Sequence, residues 1–266
     1  MAIKIDYVIS TLPFEYPFTI SGGRTKTVQQ ALIVRISLDN VQGFGEAPAI
    51  TYYNIPVEKM ILDLEIHKDF LETLSPENPN EFYTILLDLY PENSFLRCAL
   101  DMAFWDAYGK IKNLPIFALI GTMWKNDLPI TDYTLGIDSL NKLTEKIKAH
   151  PWPIYKIKVG NENDIENLIE LRNYFNHPFR LDANAGWTLK EASEKIQSCL
   201  NLNIELIEQP LSINELHLMP QLKSTSKIPL FADESCVHEI DVEKCIDGFH
   251  GINIKLTKCG GITPAL

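Results

Sequence analysis

Five short apolar segments recur at a near-constant distance in the second half of the chain, and each carries polar residues at or near its end. The corresponding polar side chains of successive segments are 22 to 26 residues apart. This period accommodates one strand, one helix and two loops, and it predicts a β/α barrel whose strand ends surround an active site. The predicted strands are residues 155–159, 179–184, 204–210, 229–235 and 251–255.

A sixth strand fits the same period at residues 133–137, because Thr134 precedes Lys158 by 24 residues. A closed barrel of this kind has eight strands, so about two further β/α units would be needed. We therefore expect an α/β fold of the TIM-barrel type, truncated after about six strands. The chain would then be a fragment of a longer protein or a subunit that another chain completes. The helices predicted between these strands span residues 139–150, 162–176, 188–200, 212–224 and 239–246.

The first half of the chain does not show this repeat. Residues 4–10 and 27–38 have the composition and alternation of strands. Strands followed by helices are typical of a small α+β domain. We predict an α+β capping domain at residues 1–125 and a partial barrel at residues 126–266. The helices predicted for the capping domain span residues 56–74, 80–89 and 94–112.

Three carboxylates lie at the ends of three consecutive predicted strands: Asp182, Glu208 and Asp233. The strand ends of one barrel face meet around a common centre, so these side chains are expected to converge. Three buried, unpaired carboxylates would repel one another and lose hydration. A divalent cation removes that conflict, and an oxygen-only set of ligands favours Mg²⁺, with Mn²⁺ as an alternative.

Lysines lie on the strand before the carboxylates and on the strand after them. Lys158 and Lys255 would face each other across the metal, an arrangement suited to removing a proton from one face of a carbon and returning it to the other. The base must be neutral near pH 7, so its pKa must fall from about 10.4. Lys156 lies two residues away on the same strand face, and its positive charge is expected to lower that pKa.

The overall composition excludes several classes of function. The formal net charge of −11 argues against a general nucleic-acid-binding surface. No apolar run reaches the length of a transmembrane helix, and no signal-peptide pattern is found, so we expect no membrane partner. The five cysteines are odd in number and form no CxxC pair, which favours a reduced, cytoplasmic setting.

Several motifs carry a resemblance to a known family. They are Gly43-Phe44-Gly45-Glu46-Ala47-Pro48, Ala99-Leu100-Asp101-Met102-Ala103-Phe104-Trp105-Asp106, Lys156-Ile157-Lys158, Asp182-Ala183-Asn184, Ile207-Glu208-Gln209-Pro210, Asp233-Glu234-Ser235, and Lys255 with Lys258-Cys259-Gly260-Gly261. In this order and at barrel spacing, they resemble the enolase superfamily, muconate-lactonizing subgroup, and within it the dipeptide epimerases of the L-Ala-D/L-Glu type. The subgroup assignment rests mainly on Thr134-Leu135-Gly136-Ile137-Asp138 and on the loop around Arg24.

The resemblance implies roles for the strand-end residues. Asp182, Glu208 and Asp233 would bind Mg²⁺. Lys158 and Lys255 would be the two acid/base groups, on opposite faces of a dipeptide whose α-carbon is epimerised through an enediolate. Supporting positions would be Asn184 and Glu234 behind the metal ligands.

The resemblance also implies which residues select the substrate. Arg24, Thr134 and Lys156 would contact it, and loops of the capping domain would place Ile20, Tyr52 and Tyr53 over it. In this family an Asp-x-Asp near the eighth strand holds the dipeptide's ammonium group, and the present sequence ends before that point. The expected partner is a dipeptide, and the chain could also form a homo-oligomer.

Other activities use the same arrangement of groups. If a leaving group lay beta to the carbanion, the same residues would eliminate it rather than invert the carbon. The alternatives within the subgroup are o-succinylbenzoate synthase, muconate cycloisomerase and N-acylamino acid racemase. A non-catalytic fragment is a further alternative. A Schiff-base aldolase barrel would use a lysine but would leave three converging carboxylates unexplained.

Overall fold

The structure is a computed structural model that describes residues 3–20 and 23–266, without the side chains of Arg24 and Thr51. The chain forms two units, each with a hydrophobic core of its own. Unit 1 comprises Met1–Pro13, Val28–Asp127 and Ile254–Leu266, and unit 2 comprises Phe14–Thr27 and Leu128–Asn253. The units are therefore not continuous halves of the sequence.

Strands and helices alternate regularly between residues 133 and 252. In chain order they are β1 Ile3–Ile20, β2 Arg24–Leu38, β3 Val41–Pro48, α1 Val57–Thr73, α2 Pro79–Leu89, α3 Ser94–Lys112, α4 Ile116–Leu119, β4 Tyr133–Leu135, α5 Leu140–Ala149, β5 Tyr155–Lys158, α6 Asp164–Arg172, β6 Phe179–Asp182, α7 Leu189–Cys199, β7 Ile204–Glu208, α8 Met219–Thr225, β8 Leu230–Ala232, α9 Val242–Cys245, β9 Gly251–Ile252, α10 Leu256–Cys259 and α11 Ile262–Ala265. No helix in the described part of the chain is long and apolar enough to span a membrane.

The first three strands form a sheet in the order β1-β2-β3, in which β2 and β3 are antiparallel. The sequence pattern did not predict β3, because its glycines disfavour a strand. The structure shows why glycines occur there. A Cβ atom on Gly43 would strike the backbone of Ala103 and Ala107, and one on Gly45 would strike Ala99. The motif Gly43–Pro48 thus lets β3 lie directly against helix α3.

Unit 2 contains a parallel sheet of six strands in the order β4-β5-β6-β7-β8-β9. The expected α/β architecture with six barrel-type strands is confirmed. Strand β5 shows how the sequence produces it: Tyr155 and Ile157 are buried, whereas Lys156 and Lys158 point to the opposite face. The buried face packs against the helices that connect the strands. Core residues from strands and helices include Tyr155, Phe179, Leu181, Ile207, Leu230, Leu143, Leu168, Ile196 and Leu222.

Several predicted elements differ from the structure in extent. The first strand, predicted at 4–10, spans Ile3–Ile20, and the helix predicted at 239–246 is split into a 3-10 segment at Glu239–Asp241 and the helix α9. The last strand, β9, is two residues long instead of spanning 251–255. The helix predicted at 212–224 is split into a 3-10 segment at Ile213–Leu218 and the helix α8. Pro220 lies in the first turn of α8, where its missing N–H is tolerated, but within one continuous helix it would break the hydrogen bonding.

Candidate active site

The register of the parallel sheet brings the predicted chemical groups next to one another. Lys158 on β5 lies opposite Asp182 on β6, and Asp182 lies opposite Glu208 on β7. Lys156 lies on the same face of β5, one side-chain repeat earlier. The structure therefore places two lysines and two carboxylates at the carboxyl ends of three adjacent strands.

These side chains form buried ion pairs. Lys158 Nζ lies 2.6 Å from Asp182 Oδ2, and Lys156 Nζ lies 2.9 Å from the same oxygen. Lys156 Nζ also lies 2.6 Å from Glu208 Oε2, so this lysine bridges the two carboxylates. Charged groups this deeply buried are stable only when they are paired.

The pKa values of the two carboxyl groups shift in opposite directions. Burial opposes ionisation of Asp182, but the nearby Lys158 and Lys156 outweigh that effect and lower its pKa to about 2. Burial and repulsion from Asp182 and Asp233 raise the pKa of Glu208 to about 7, although Lys156 opposes this. The pKa of Lys156 is raised, because its two carboxylate partners outweigh its burial. Asp182, Glu208 and Asp233 thus repel one another, and a further cation would relieve that repulsion.

Gln209 holds the backbone that carries the third carboxylate, a role that its place in the Ile207–Pro210 motif did not indicate. Its side-chain Oε1 accepts hydrogen bonds of 3.0 Å from the backbone N–H groups of both Asp233 and Ser235. Its Nε2 donates to Leu211 O and to Ser235 Oγ, each at 2.8 Å. The completely buried Gln209 therefore fixes the backbone turn that follows β8 and carries Asp233.

Asn253 is a second residue that the sequence analysis missed. Its backbone N–H donates to Ala232 O, and its side-chain Nδ2 donates to Glu208 Oε1 at 2.9 Å. Glu208 thus accepts a hydrogen bond from Lys156 on one carboxylate oxygen and a hydrogen bond from Asn253 on the other. The available sequence signal was position alone, since Asn253 directly follows a strand end.

Asn184 lies beside the metal-ligand candidate Asp182 and contacts Glu234. Asn184 has a left-handed backbone with φ 46°, and its N–H donates to Asp182 Oδ1 at 3.0 Å. Its Nδ2 donates to Glu234 Oε1 at 3.2 Å. Within the described residues, Asn184 Oδ1 and Glu234 Oε2 are buried without a hydrogen-bond partner. These acceptors are free to receive a donor at the site.

The predicted substrate contacts lie in several places. Thr134 on β4 is opposite Lys156 in the register, and its hydroxyl is 3.4 Å from Asp132 Oδ1. Ile20 ends strand β1 and is half-buried. Tyr53 packs against Phe95 in the core of unit 1, whereas the neighbouring Tyr52 is exposed. The side chain of Arg24 lies outside the described part of the chain.

Lys255, the second predicted acid/base, belongs to unit 1. It is half-buried, lies three residues after β9 and directly precedes helix α10. Its carbonyl accepts the backbone N–H groups of Lys258 and Cys259 at 2.9 and 3.2 Å. Helix α10 therefore fixes the backbone of Lys255.

The carboxylate oxygens at the strand ends are donors of the kind that a divalent cation prefers. Across residues 3–20 and 23–266, no three or more His, Cys, Asp or Glu side chains are arranged as a ready metal cage. Two of the candidate carboxylates are paired with lysines instead. Even so, the carboxylates of Asp182, Glu208 and Asp233 are buried, consist of oxygen donors and repel one another, which is the environment that a hard cation stabilises. The residues fit Mg²⁺, whose binding would compete with the lysine contacts.

Comparison with protein families divides the sequence into two matched regions. Residues 3–121 match the family described as mandelate racemase/muconate lactonizing enzyme, N-terminal domain. Residues 139–266 match the family described as enolase C-terminal domain-like. The matches cover nearly the whole chain.

Individual relatives are epimerases. The chain is 41% identical over 257 residues to an L-Ala-D/L-amino acid epimerase from a Maribacter species, covering 96% of this chain and 75% of that protein. It superimposes with a TM-score of 0.92 on the dipeptide epimerase of Cytophaga hutchinsonii complexed with Mg and D-Ala-L-Val, at 29% identity, covering 100% of this chain and 75% of that one. The TM-score is also 0.92 for the Enterococcus faecalis dipeptide epimerase complexed with Mg and L-Leu-L-Tyr, at 31% identity and with coverages of 100% and 77%.

Proposed function

The chain belongs to the enolase superfamily, in its mandelate racemase and muconate-lactonizing group, and from this premise we propose that it epimerises dipeptides. The observation that carries the proposal is the buried cluster of Lys156, Lys158, Asp182 and Glu208 at three neighbouring strand ends. Such a cluster combines a candidate base with carboxylates that favour a cation. The 41% identity to an L-Ala-D/L-amino acid epimerase supports a dipeptide as the substrate.

Asp182, Glu208 and Asp233 would hold Mg²⁺, the ion named with the dipeptide epimerases of C. hutchinsonii and E. faecalis. When bound, the ion would supply positive charge that stabilises negative charge growing on the substrate carboxylate. Gln209 and Asn253 would keep two of these three carboxylates in place, through the backbone of Asp233 and the side chain of Glu208.

The lysines would move the proton. Lys158 would take the α-proton from one face of the dipeptide and Lys255 would return a proton to the other face, so that the carbon inverts. In the described structure Lys158 donates to Asp182, so it must release that contact and its proton before it can act as the base. Lys156 would remain charged between Asp182 and Glu208 and offset part of their repulsion.

The end of the substrate away from the reacting carbon would be read by other residues. We assign this role to Arg24 and Thr134, with Ile20, Tyr52 and Tyr53 selecting the side chain, and Lys156 would contact the substrate nearer to the metal ligands. Exposure of Tyr52 supports a contact with a ligand more than the position of Tyr53 does, because the Tyr53 ring already packs on Phe95.

The test is α-proton exchange by the full-length protein in D₂O. L-Ala-L-X dipeptides should incorporate deuterium at the α-carbon of the second residue and yield the L-Ala-D-X epimer. The matched N-acylamino acids, which lack the free ammonium group, should react far more slowly. Chelation of the metal should stop exchange, and added Mg²⁺ should restore it and raise the melting temperature.

Variants of the two lysines test the mechanism. Lys158→Ala and Lys255→Ala should each lower epimerisation by about 10²- to 10⁴-fold, because each removes one acid/base group. Each variant should still exchange one stereoisomer, because the other lysine remains. Full epimerisation by either variant would reject the two-lysine assignment, and exchange of N-acylamino acids alone would replace the dipeptide with another substrate class.

A further inference from the structure

The segment that follows Lys255 packs on helix α3 of unit 1. Helices α10 and α11 both contact α3. Two of the motifs singled out in the sequence meet here: the stretch around Asp101, and the stretch Lys258–Gly261. Neither motif contributes a group to the proposed reaction.

A buried carboxylate forms the centre of this contact. Asp101 Oδ2 accepts the backbone N–H of Thr263 at 3.0 Å, and Asp101 Oδ1 accepts the Thr263 hydroxyl at 2.6 Å. The same hydroxyl accepts a hydrogen bond of 2.9 Å from Trp105 Nε1. One side chain on α3 thus holds both the backbone and the side chain of Thr263 at the start of α11.

The turn between α10 and α11 is shaped to fit α3. Gly260 and Gly261 have φ values of 108° and 137°, which L side chains rarely adopt. A Cβ atom on Gly260 would lie 2.7 Å from Tyr83 Oη, and one on Gly261 would lie 2.7 Å from Asp101 Cβ. Tyr83 also donates to Cys259 O at 3.2 Å. The glycines therefore allow a close approach to Tyr83 on α2 and to Asp101 on α3 that any larger residue would block.

This contact is transmitted to Lys255 through a single helical turn. The carbonyl of Lys255 accepts from Cys259, and the carbonyl of Leu256 accepts from both Gly260 and Gly261 at 2.8 Å. Only seven peptide bonds separate Lys255 from Ile262, and hydrogen bonds close most of that stretch. A shift of Thr263 relative to α3 therefore moves the backbone from which the Lys255 side chain projects.

We propose that Asp101 is a positioning residue for Lys255: by clamping Thr263 it sets where the second acid/base group can reach. The proposal rests on the proposed function, in which Lys255 serves one face of the substrate. The geometry supports this role, because Asp101 contacts both the backbone and the side chain of Thr263, eight residues after Lys255.

The test compares four variants of the full-length protein: Asp101→Ala, Asp101→Asn, Lys255→Ala and Leu64→Ala. Leu64 is a buried residue of α1 in the same unit and serves as the matched core control. Asp101→Asn keeps an oxygen for the Thr263 N–H and an amide that can donate to its hydroxyl. Exchange rates are measured separately for the two stereoisomers at the α-carbon, well below each variant's melting temperature.

Asp101→Ala should slow exchange about 10- to 100-fold for the stereoisomer that Lys255→Ala also loses, and much less for the other, because a misplaced acid/base group loses alignment. Asp101→Asn should stay within a few-fold of the unsubstituted protein. Leu64→Ala should affect both stereoisomers equally. Equal slowing of both stereoisomers by Asp101→Ala would show a structural role only and overturn the proposal.

A second readout does not depend on activity. Cys259 is 7% exposed and lies in the clamped turn, so its thiol should react faster with an alkylating reagent in Asp101→Ala than in Leu64→Ala, as located by mass spectrometry. Equal labelling in the two variants would overturn the proposal whatever the kinetics. Suppose that Cys259 is labelled faster in Asp101→Ala, but Lys255→Ala slows exchange of both stereoisomers equally. The Asp101–Thr263 contact would then be supported and the two-lysine mechanism rejected, so failure of the proposed function can be told from failure of this inference. If Asp101→Ala does not fold, Thr263→Val and Thr263→Ser replace it, with the same expectations for loss and rescue.

Discussion

Asp101 and Asp182 are both completely buried aspartates, yet their environments differ in one respect. Asp182 contacts the ammonium groups of Lys158 and Lys156, whereas Asp101 receives neutral donors from Thr263. The pKa of Asp182 falls to about 2, and the pKa of Asp101 rises to about 6. Burial raises the pKa in both cases, so the neighbouring cations decide the outcome.

The difference separates two uses of a buried carboxylate. A carboxylate that stays ionised beside lysine ammonium groups at a strand end can release a lysine and bind a metal ion in its place. A carboxylate held by two neutral donors on a helix can fix the position of a neighbouring segment. Exposure alone would have ranked the two residues equally, and only their partners distinguish a candidate catalytic group from a positioning group.

The largest expected effect is a difference in catalytic activity between variants of the two aspartates. Asp182→Asn should lower kcat/KM for dipeptide epimerisation by at least about 10²- to 10³-fold, because it removes a metal-binding charge and a partner of Lys158. Asp101→Asn should lower it by less than about tenfold, because the amide keeps the contacts to Thr263. Steady-state assays under identical Mg²⁺ concentrations measure both. Similar losses in the two variants would remove the distinction.

An intermediate effect concerns the pH dependence of stability. Because the pKa of Asp101 is raised, the contribution of this residue to the stability of the fold is fully present below pH 3.8, its ordinary pKa. That contribution is lost as the pH rises through about 6. Because the pKa of Asp182 is lowered, the contribution of this residue to stability is present above pH 3.8 and is lost as the pH falls through about 2. The two residues therefore have opposite signs of linkage.

Urea unfolding of metal-free protein measures this effect. The difference in unfolding free energy between the unsubstituted protein and Asp101→Asn should fall by up to about 3 kcal/mol between pH 4 and pH 7. The corresponding difference for Asp182→Asn should instead rise between pH 2 and pH 4. A pH-independent difference for Asp101→Asn would show that its carboxyl group titrates normally.

The smallest expected effect concerns a carboxylate that is paired with a cation but is not buried. Glu205 Oε2 accepts from Arg180 Nε at 2.8 Å, but its side chain is 44% exposed and Arg180 is also paired with Asp132. Glu205→Gln should change the unfolding free energy by less than about 1 kcal/mol and leave the activity unchanged, because exposed ion pairs contribute little. A thermal melt and the dipeptide assay together check this. A large loss would mean that pairing with a cation matters even without burial.

The sequence predicted those parts of the protein that follow a local pattern. The repeated spacing predicted six strands, and the alternation along β5 placed Lys156 and Lys158 on one face. The same spacing suggested that Asp182 and Glu208 lie together, as the structure has them. The enolase-superfamily resemblance is confirmed by the matched families and relatives. The roles of all the site residues stay predictions: the metal ligands Asp182, Glu208 and Asp233, the acid/base groups Lys158 and Lys255, and the supporting and substrate contacts.

Local pattern did not reveal contacts between distant residues. Gln209 holds the backbone of Asp233 across 24 positions, Asn253 reaches Glu208 across 45, and Asp101 binds Thr263 across 162. A side chain's hydrogen-bond partners depend on which segments the fold brings together, and no helical or strand period encodes them. The sequence alone thus determined the parallel strands and the charges that they carry. The tertiary structure decided which of those charges are paired, and hence which of two equally buried aspartates is stabilised as an anion.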